Sequence, residues 1–338
     1  MKRRQRNTTD QFQKNILEFN RQLSPGGLSA RNLDKLRGRK PDAVIVSGMG
    51  GSGLPGRILK MAAKEIGLNI PVINWHDYGL ADVRDYRLKR PLYIFVSFSG
   101  NTEETISGLR QFLNLKPKTK NQKTSAAVIA TGGKLLETAD SHKLARVSFT
   151  GSGLTPRQDS GKMFYALIQV LRAAGLNPRV PTYTNLAPKN FEAAGKSLAK
   201  KLHKRSIFIY TDLAHAELGY VWKLKINETA KNHASLNVLP EASHNEIVGF
   251  EKNIFPATAI FLHRAQGRLA KRIGVIKKLL HGKRAVVIEP ALSGRTTLER
   301  VWQSIMLADW TSFHLAKLNR AEPGPIKIVD ELKRLIKR

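Results

Sequence analysis

The chain has 338 residues and no cysteine, which excludes disulfide cross-links, a thiol nucleophile and a zinc site built on Cys. Carboxylates are scarce too: 26 Asp and Glu stand against 57 Lys and Arg, for a formal net charge of +31. No stretch approaches the ~20 apolar residues that a membrane-spanning helix needs. The start, MKRRQRNTTDQFQKN, is basic but runs into polar residues without the apolar segment of a secretion signal. These shortages argue against secreted, disulfide-built and membrane-spanning classes and lead us to expect a reducing, cytoplasmic setting. A hydrophobic fraction of 41% is nevertheless enough to bury a sizeable core, and the length suggests two domains.

An excess of positive charge is the footprint of a nucleic-acid binder, or of a protein that meets polyanions non-specifically. Here the Lys and Arg residues are spread along the chain, densest at 2–6, 116–123, 200–205, 264–284 and 333–338. There is no zinc-finger spacing, no aromatic RNA-binding signature and no basic region leading into heptads. A solvated basic surface is therefore the simpler reading. Whatever its origin, the field raises the encounter rate of anionic substrates such as sugar phosphates.

Residues 9–23 carry Phe12, Ile16, Phe19 and Leu23 at helical spacing, and SPGG at 24–27 breaks the chain. Short apolar runs then alternate with helical patterns: strands at 43–48, 71–75, 91–99 and 126–131, helices at 53–67 and 102–114. A hinge is expected from Gly151 to Pro156, ahead of a helix at 160–174. After the proline-rich NPRVPTYTNLAP the alternation resumes, with strands at 206–211, 257–262 and 285–290 and helices at 189–203, 213–227, 265–280 and 295–318. This rhythm reads as α/β, with parallel sheets flanked by crossover helices. The expected division is an N-terminal helix (1–30), a first domain (31–176), a linker (177–188) and a second domain (189–338).

Two segments carry chemistry. AVIVSG runs into Gly48-Met49-Gly50-Gly51-Ser52-Gly53 with a helix behind it, joining close backbone approach, exposed N–H groups and a helix N-terminus in one anion site. A dinucleotide fingerprint shares this context, but its acidic residue ~20 positions on is not clearly placed, Asp77 being a distant candidate. PLYIFVSFS ends in Ser97, Ser99 and Thr102 around Gly100, three hydroxyls where a strand gives way to a helix. Thr102 alone is explained by helix capping; all three together suit a phosphate.

GMGGSG followed by SFSGNTEET resembles the sugar-isomerase (SIS) domain, a flavodoxin-like phosphosugar-binding fold. TPRQDSGKMFYAL, INETAKNHASLNVLPEASHNEIVGFE and LADWTSFHLA extend the likeness to the bifunctional phosphoglucose/phosphomannose isomerase family. The resemblance implies two SIS domains that interconvert glucose 6-phosphate, and mannose 6-phosphate, with fructose 6-phosphate, using neither metal nor organic cofactor. It also implies a homodimer with a shared active site. By the same resemblance Gly50, Gly51, Ser52, Ser97, Ser99 and Thr102 hold the phosphate. Glu228 moves the proton between C1 and C2, His244 opens the sugar ring, Arg157 steadies the enediolate, and Lys333 reaches the site. Isomerisation needs such a base, proton shuttle and cation. Gly324 stands where relatives often have threonine between two prolines, which bears on the mannose epimer. An isomerase of another phosphosugar, such as an amino-sugar phosphate, remains an alternative. So does a sugar-phosphate-sensing regulator that binds nucleic acid, although only about forty residues precede the first strand for a DNA-binding domain.

Overall fold

The computed structural model describes residues 2–81, 88–115, 124–152, 155–252 and 255–336. The basic run at 116–123 and part of the hinge expected at 151–156 lie outside the described residues. The chain forms two compact units, Phe19–Leu186 on the one hand and Met1–Glu18 with Ala187–Arg338 on the other.

In the first unit a six-stranded sheet is built from β1 (Leu28–Arg31), β2 (Ala43–Ser47), β3 (Val72–Trp75), β4 (Pro91–Ser97), β5 (Ser125–Ala130) and β6 (Ala145–Phe149), in the spatial order β1-β6-β5-β4-β2-β3. β2 to β6 are parallel and follow the flavodoxin-like order, in which the first strand lies between the second and third. β2, β4 and β5 are buried along their whole length, which explains why they read as continuous apolar runs rather than alternating ones. The crossovers α2 (Leu54–Ala62), α3 (Glu103–Leu113), α4 (Gly133–Ser141) and α5 (Ser160–Ala173) cover the faces. The expectation of an all-parallel sheet needs one addition: β1 pairs antiparallel with β6, Leu28 opposite Phe149. Gly27, at φ +73°, turns the chain into it.

The second unit repeats the plan with four parallel strands, β7 (Ser206–Asp212), β8 (Ala234–Leu239), β9 (Ala257–Leu262) and β10 (Val286–Ile288), ordered β10-β9-β7-β8. Its helices are α6 (Glu192–Leu202), α7 (Ala216–Ala230), α8 (Gly267–Gly282), α9 (Thr297–Leu318) and α10 (Lys327–Ile336). The N-terminal helix α1 (Lys2–Leu17) belongs here as well, its Phe12 ring stacked on Phe313 of α9 at 6.0 Å. α1 begins earlier than the apolar spacing indicates, since Lys, Arg and Gln are good helix formers. It ends earlier too, because Gln22, in a 3-10 turn over Phe19–Gln22, is tied by its amide to Gln158 O and Gly161 N. Among the described residues no helix is long and apolar enough to cross a membrane.

Candidate active site

The first sheet reverses its winding between β2 and β4, and ligands of open α/β sheets bind in the crevice outside the carboxyl ends of such strands. Both segments singled out above begin there. Ser47 ends β2, Gly50–Gly53 forms a 3-10 turn, and Leu54 opens α2 with Pro55 in its first turn. Ser97 ends β4, and Glu103 and Glu104 open α3 behind Thr102. Gly100 lies at φ +69°, and a Cβ on it would stand 1.7 Å from the Gly132 carbonyl oxygen, so only glycine fits.

The hydroxyls share a pattern. Ser52 Oγ accepts the Phe98 N–H at 2.9 Å, which ties the two loops together. Ser97 Oγ accepts the Gly100 N–H at 3.1 Å and lies 2.8 Å from Thr102 Oγ1. Ser99 Oγ accepts the Asn101 N–H at 3.2 Å. Each serine hydroxyl therefore has an acceptor position taken by backbone; Ser52 and Ser99 keep their protons to donate outward, and the Ser97–Thr102 pair, whichever of the two donates to the other, keeps one between them. Thr102 occupies the cap position of α3 but makes no side-chain capping bond, so capping does not account for its hydroxyl.

Arg157 is fully buried in the 3-10 turn Pro156–Gln158. Its backbone nitrogen packs so tightly on the first loop that a Cβ on Gly51 would come within 2.7 Å of it. The structure therefore brings Arg157 and the Gly50–Ser52 turn together. Two supporting residues are not singled out by the sequence, although Asp159 lies within the TPRQDSGKMFYAL motif. Buried Asp159 accepts bonds from Ser152 N at 3.0 Å and Ser152 Oγ at 2.7 Å, with burial pushing its carboxyl above the usual range. His76, just past β3, donates its Nδ1–H to the Gly48 carbonyl at 2.7 Å. Its signal was positional: it stands at the carboxyl end of the strand beside β2.

Glu228 lies half-buried in the last turn of α7. One turn earlier, Lys225 forms a fully buried ion pair with Asp309 of α9 at 2.5 Å, and Trp222 Nε1 donates to Ser304 Oγ at 2.9 Å. Asn227 Oδ1 accepts the Ala234 N–H at 2.7 Å, pinning this end of α7 to the start of β8. His244 is exposed in the 3-10 turn Glu241–His244, beyond the other end of β8. Five residue steps of strand, about 17 Å, thus separate the two ends to which Glu228 and His244 belong. Within one chain the structure does not bring them together. Lys333 is exposed on α10, which buries no residue. Gly324 is buried, yet a Cβ there would meet nothing within 4 Å. Among the described residues no three His, Asp or Glu side chains gather as a metal ligand set.

The family described as "Bacterial phospho-glucose isomerase C-terminal SIS domain" matches residues 191–336. A bifunctional phosphoglucose/phosphomannose isomerase of Caldicellulosiruptor bescii is 33% identical over 320 residues, covering 86% of this chain and 88% of the relative. A D-glucosamine-6-phosphate 4-epimerase of Sulfolobus acidocaldarius is also 33% identical, over 61% of this chain and 63% of that protein. In fold, the tagatose-6-phosphate ketose/aldose isomerase of Escherichia coli superposes with a TM-score of 0.63 at 17% identity, covering 94% of this chain and 95% of that one. With one relative a third identical and matched along nearly its whole length, this chain belongs to the bifunctional phosphoglucose/phosphomannose isomerase family.

Proposed function

We propose that the protein interconverts glucose 6-phosphate, and mannose 6-phosphate, with fructose 6-phosphate through a cis-enediol. The observation that carries this reading is the set of hydroxyls at Ser52, Ser97, Ser99 and Thr102. Gathered at the sheet's switch point, with backbone N–H groups already on the three serine oxygens, they suit a phosphate dianion. Gly50 and Gly51 add close backbone approach. In this reading residues 31–176 and 189–338 are the two SIS domains, with 1–30 an N-terminal segment that is helical over Lys2–Leu17 and 177–188 the linker. The setting is a cytoplasmic one.

His244 carries a proton between the ring oxygen and the anomeric hydroxyl, opening the sugar. The Glu228 carboxylate then removes the C2 proton of the aldose and returns it to C1, while a proton passes from O2 to O1. Arg157 stabilises the negative charge on the enediolate oxygens, and its burial strengthens that field. Glu228 of one protomer works with His244 of the partner subunit, since within one chain β8 lies between them. Lys333 is assigned an auxiliary contact with substrate.

The test is a coupled assay on glucose, mannose and glucosamine 6-phosphates with wild type and Glu228→Gln. Wild type should turn over the first two. The variant should still bind fructose 6-phosphate but lose ~10²–10⁴-fold in turnover. Near-normal turnover would move the base elsewhere, Glu241 being next. The Sulfolobus relative favours a second reading, in which an amino-sugar phosphate occupies the same hydroxyls; activity confined to glucosamine 6-phosphate would establish it. Mixing inactive Glu228→Gln and His244→Ala tests the sharing. Random reassortment makes half the dimers mixed, each with one intact site, so about a quarter of wild-type activity should return. Demonstrated exchange without recovery places both residues in one chain.

A further inference from the structure

The two phosphate-type loops are each held from outside by the strand next door, and in the same way. Thr131 directly follows β5, and its backbone N–H at 3.0 Å and its hydroxyl at 2.6 Å both donate to the Phe98 carbonyl of the second loop. His76 directly follows β3 and donates its Nδ1–H to the Gly48 carbonyl of the first loop at 2.7 Å. In the sheet order these clamps stand on opposite flanks, since β5 lies beside β4 and β3 beside β2. Neither clamp has slack. A Cβ on Gly53 would stand 2.7 Å from the Gly48 oxygen and 3.0 Å from His76 Cε1. On the other flank α4, which follows Thr131, is tied to the second loop by the Leu135 N–H on the Gly100 carbonyl at 2.9 Å.

We propose that His76 and Thr131 are positioning residues for the phosphate, each turning one backbone N–H toward it. In a trans peptide, as both of these are, the carbonyl and the next residue's N–H point in opposite directions. Drawing the Gly48 carbonyl to the β3 side therefore aims the Met49 N–H toward β4. Drawing the Phe98 carbonyl to the β5 side aims the Ser99 N–H toward β2. The two donors converge on the gap between β2 and β4, where the sheet reverses its winding and where the hydroxyls of Ser52, Ser97, Ser99 and Thr102 gather. Among the described residues neither N–H has a hydrogen-bond partner, so both are left to donate to an anion. The clamps also hold two carbonyl oxygens, each a partial negative charge, away from the place a phosphate would take. The assignment rests on the phosphate reading above and adds what fixes the loops in a form that accepts it.

The test pairs isothermal titration with inorganic phosphate and steady-state kinetics on glucose 6-phosphate. His76→Leu and Thr131→Val remove the side-chain bonds and keep most of the bulk. His76→Asn, whose amide nitrogen can take the place of Nδ1, and Thr131→Ser keep the bonds. His76 is exposed and Thr131 half-buried, circular dichroism checks the fold, and either clamp tests the proposal by itself. Losing a hydrogen bond should weaken phosphate about three- to tenfold in His76→Leu and about two- to fivefold in Thr131→Val, where the backbone N–H stays on the carbonyl. KM should rise more than kcat falls. The Asn and Ser variants should stay within about twofold of wild type. Unaltered phosphate affinity in His76→Leu or Thr131→Val overturns the assignment for that residue. An equal loss in its conservative variant does the same, since packing alone then explains the effect. The two readings fail separately. A wild type that binds phosphate but turns over no hexose phosphate, with the variants weakened as stated, overturns the isomerase and upholds the clamps. An active wild type with unweakened variants does the reverse, and a wild type that binds no phosphate overturns both.

Discussion

Replacing Gly51 by alanine tests how tightly the first loop is held. The new Cβ would lie 2.7 Å from Arg157 N, 3.0 Å from the Pro156 carbonyl carbon and 3.1 Å from Pro156 Cβ. Two of these are backbone atoms, which cannot swing aside as a long side chain does. Ordinary contact begins near 3.4 Å, so the loop or the Pro156–Gln158 turn must retreat by about 0.7 Å. Overpacking of this kind costs ~1–3 kcal/mol, which in a unit of this size lowers Tm by ~2–12 °C. The kinetic effect should be larger in proportion. Ser52 follows directly, and its hydroxyl is set by a 2.9 Å bond from Phe98 N. A displacement approaching 1 Å at a positioning group costs up to ~10²-fold, so kcat/KM for glucose 6-phosphate should fall roughly 10- to 100-fold. Gly274→Ala is the control: it lies within α8, its Cβ meets nothing within 4 Å, and it should gain up to ~1 kcal/mol of stability with activity unchanged. Wild-type kcat/KM in Gly51→Ala would refute the argument, as would an equal loss in the control.

Lys225→Met should cost ~3–5 kcal/mol in urea unfolding, because it strands the buried Asp309 carboxylate, and Lys225→Met with Asp309→Leu should recover most of the loss; equal losses in single and double variants contradict this. Burial raises the folded-state value of Asp159 above its unfolded one, so its contribution favours folding at low pH and is lost as pH rises through the raised value. Asp159→Asn, which still accepts from Ser152, should therefore be more stable than wild type at pH 8, with the gap closing toward pH 4; a gap that widens on acidification reverses the sign and the reasoning. Raising ionic strength should lower kcat/KM more than kcat, since a net charge of +31 attracts a dianion over distances screened within ~8 Å at physiological salt; a flat kcat/KM excludes steering. Gly324→Thr should fold normally, its Cβ having open space, and shift the ratio of mannose to glucose 6-phosphate turnover; an unchanged ratio frees that position from epimer selection.

Strands that are buried on both faces announce themselves, and so β2, β4, β5, β7 and β9 are legible as apolar runs ending in turn residues. The two phosphate-type loops are legible for the same reason, since each follows such a strand. Other elements carry no comparable signal. β1 exposes three of its four residues and pairs with a strand more than a hundred positions away. β8 is half-exposed and hidden inside a motif, so the sixteen positions between Glu228 and His244 look like proximity when they contain a whole strand. The parts played by His76 and Gln22 depend on hydrogen bonds between distant segments, which no local pattern records. α10, by contrast, is strongly amphipathic, and periodicity can show its apolar stripe but not what covers it.

The stacking of Phe12 on Phe313 has a consequence for synthesis. About three hundred residues separate the partners, so α1 leaves the ribosome well before α9 and finds its place only when α9 emerges. At ~5–20 residues per second that interval is on the order of 15–60 s. Throughout it Phe12 and Ile16, both buried in the finished protein, have no permanent shelter. The unit at 19–186 can complete its own sheet meanwhile. The other unit is split between segments synthesised well apart in time, and it closes only after α9 has emerged. Any fragment beginning near residue 187 would retain every strand of the second sheet, yet present α9 with an aromatic socket and nothing to fill it.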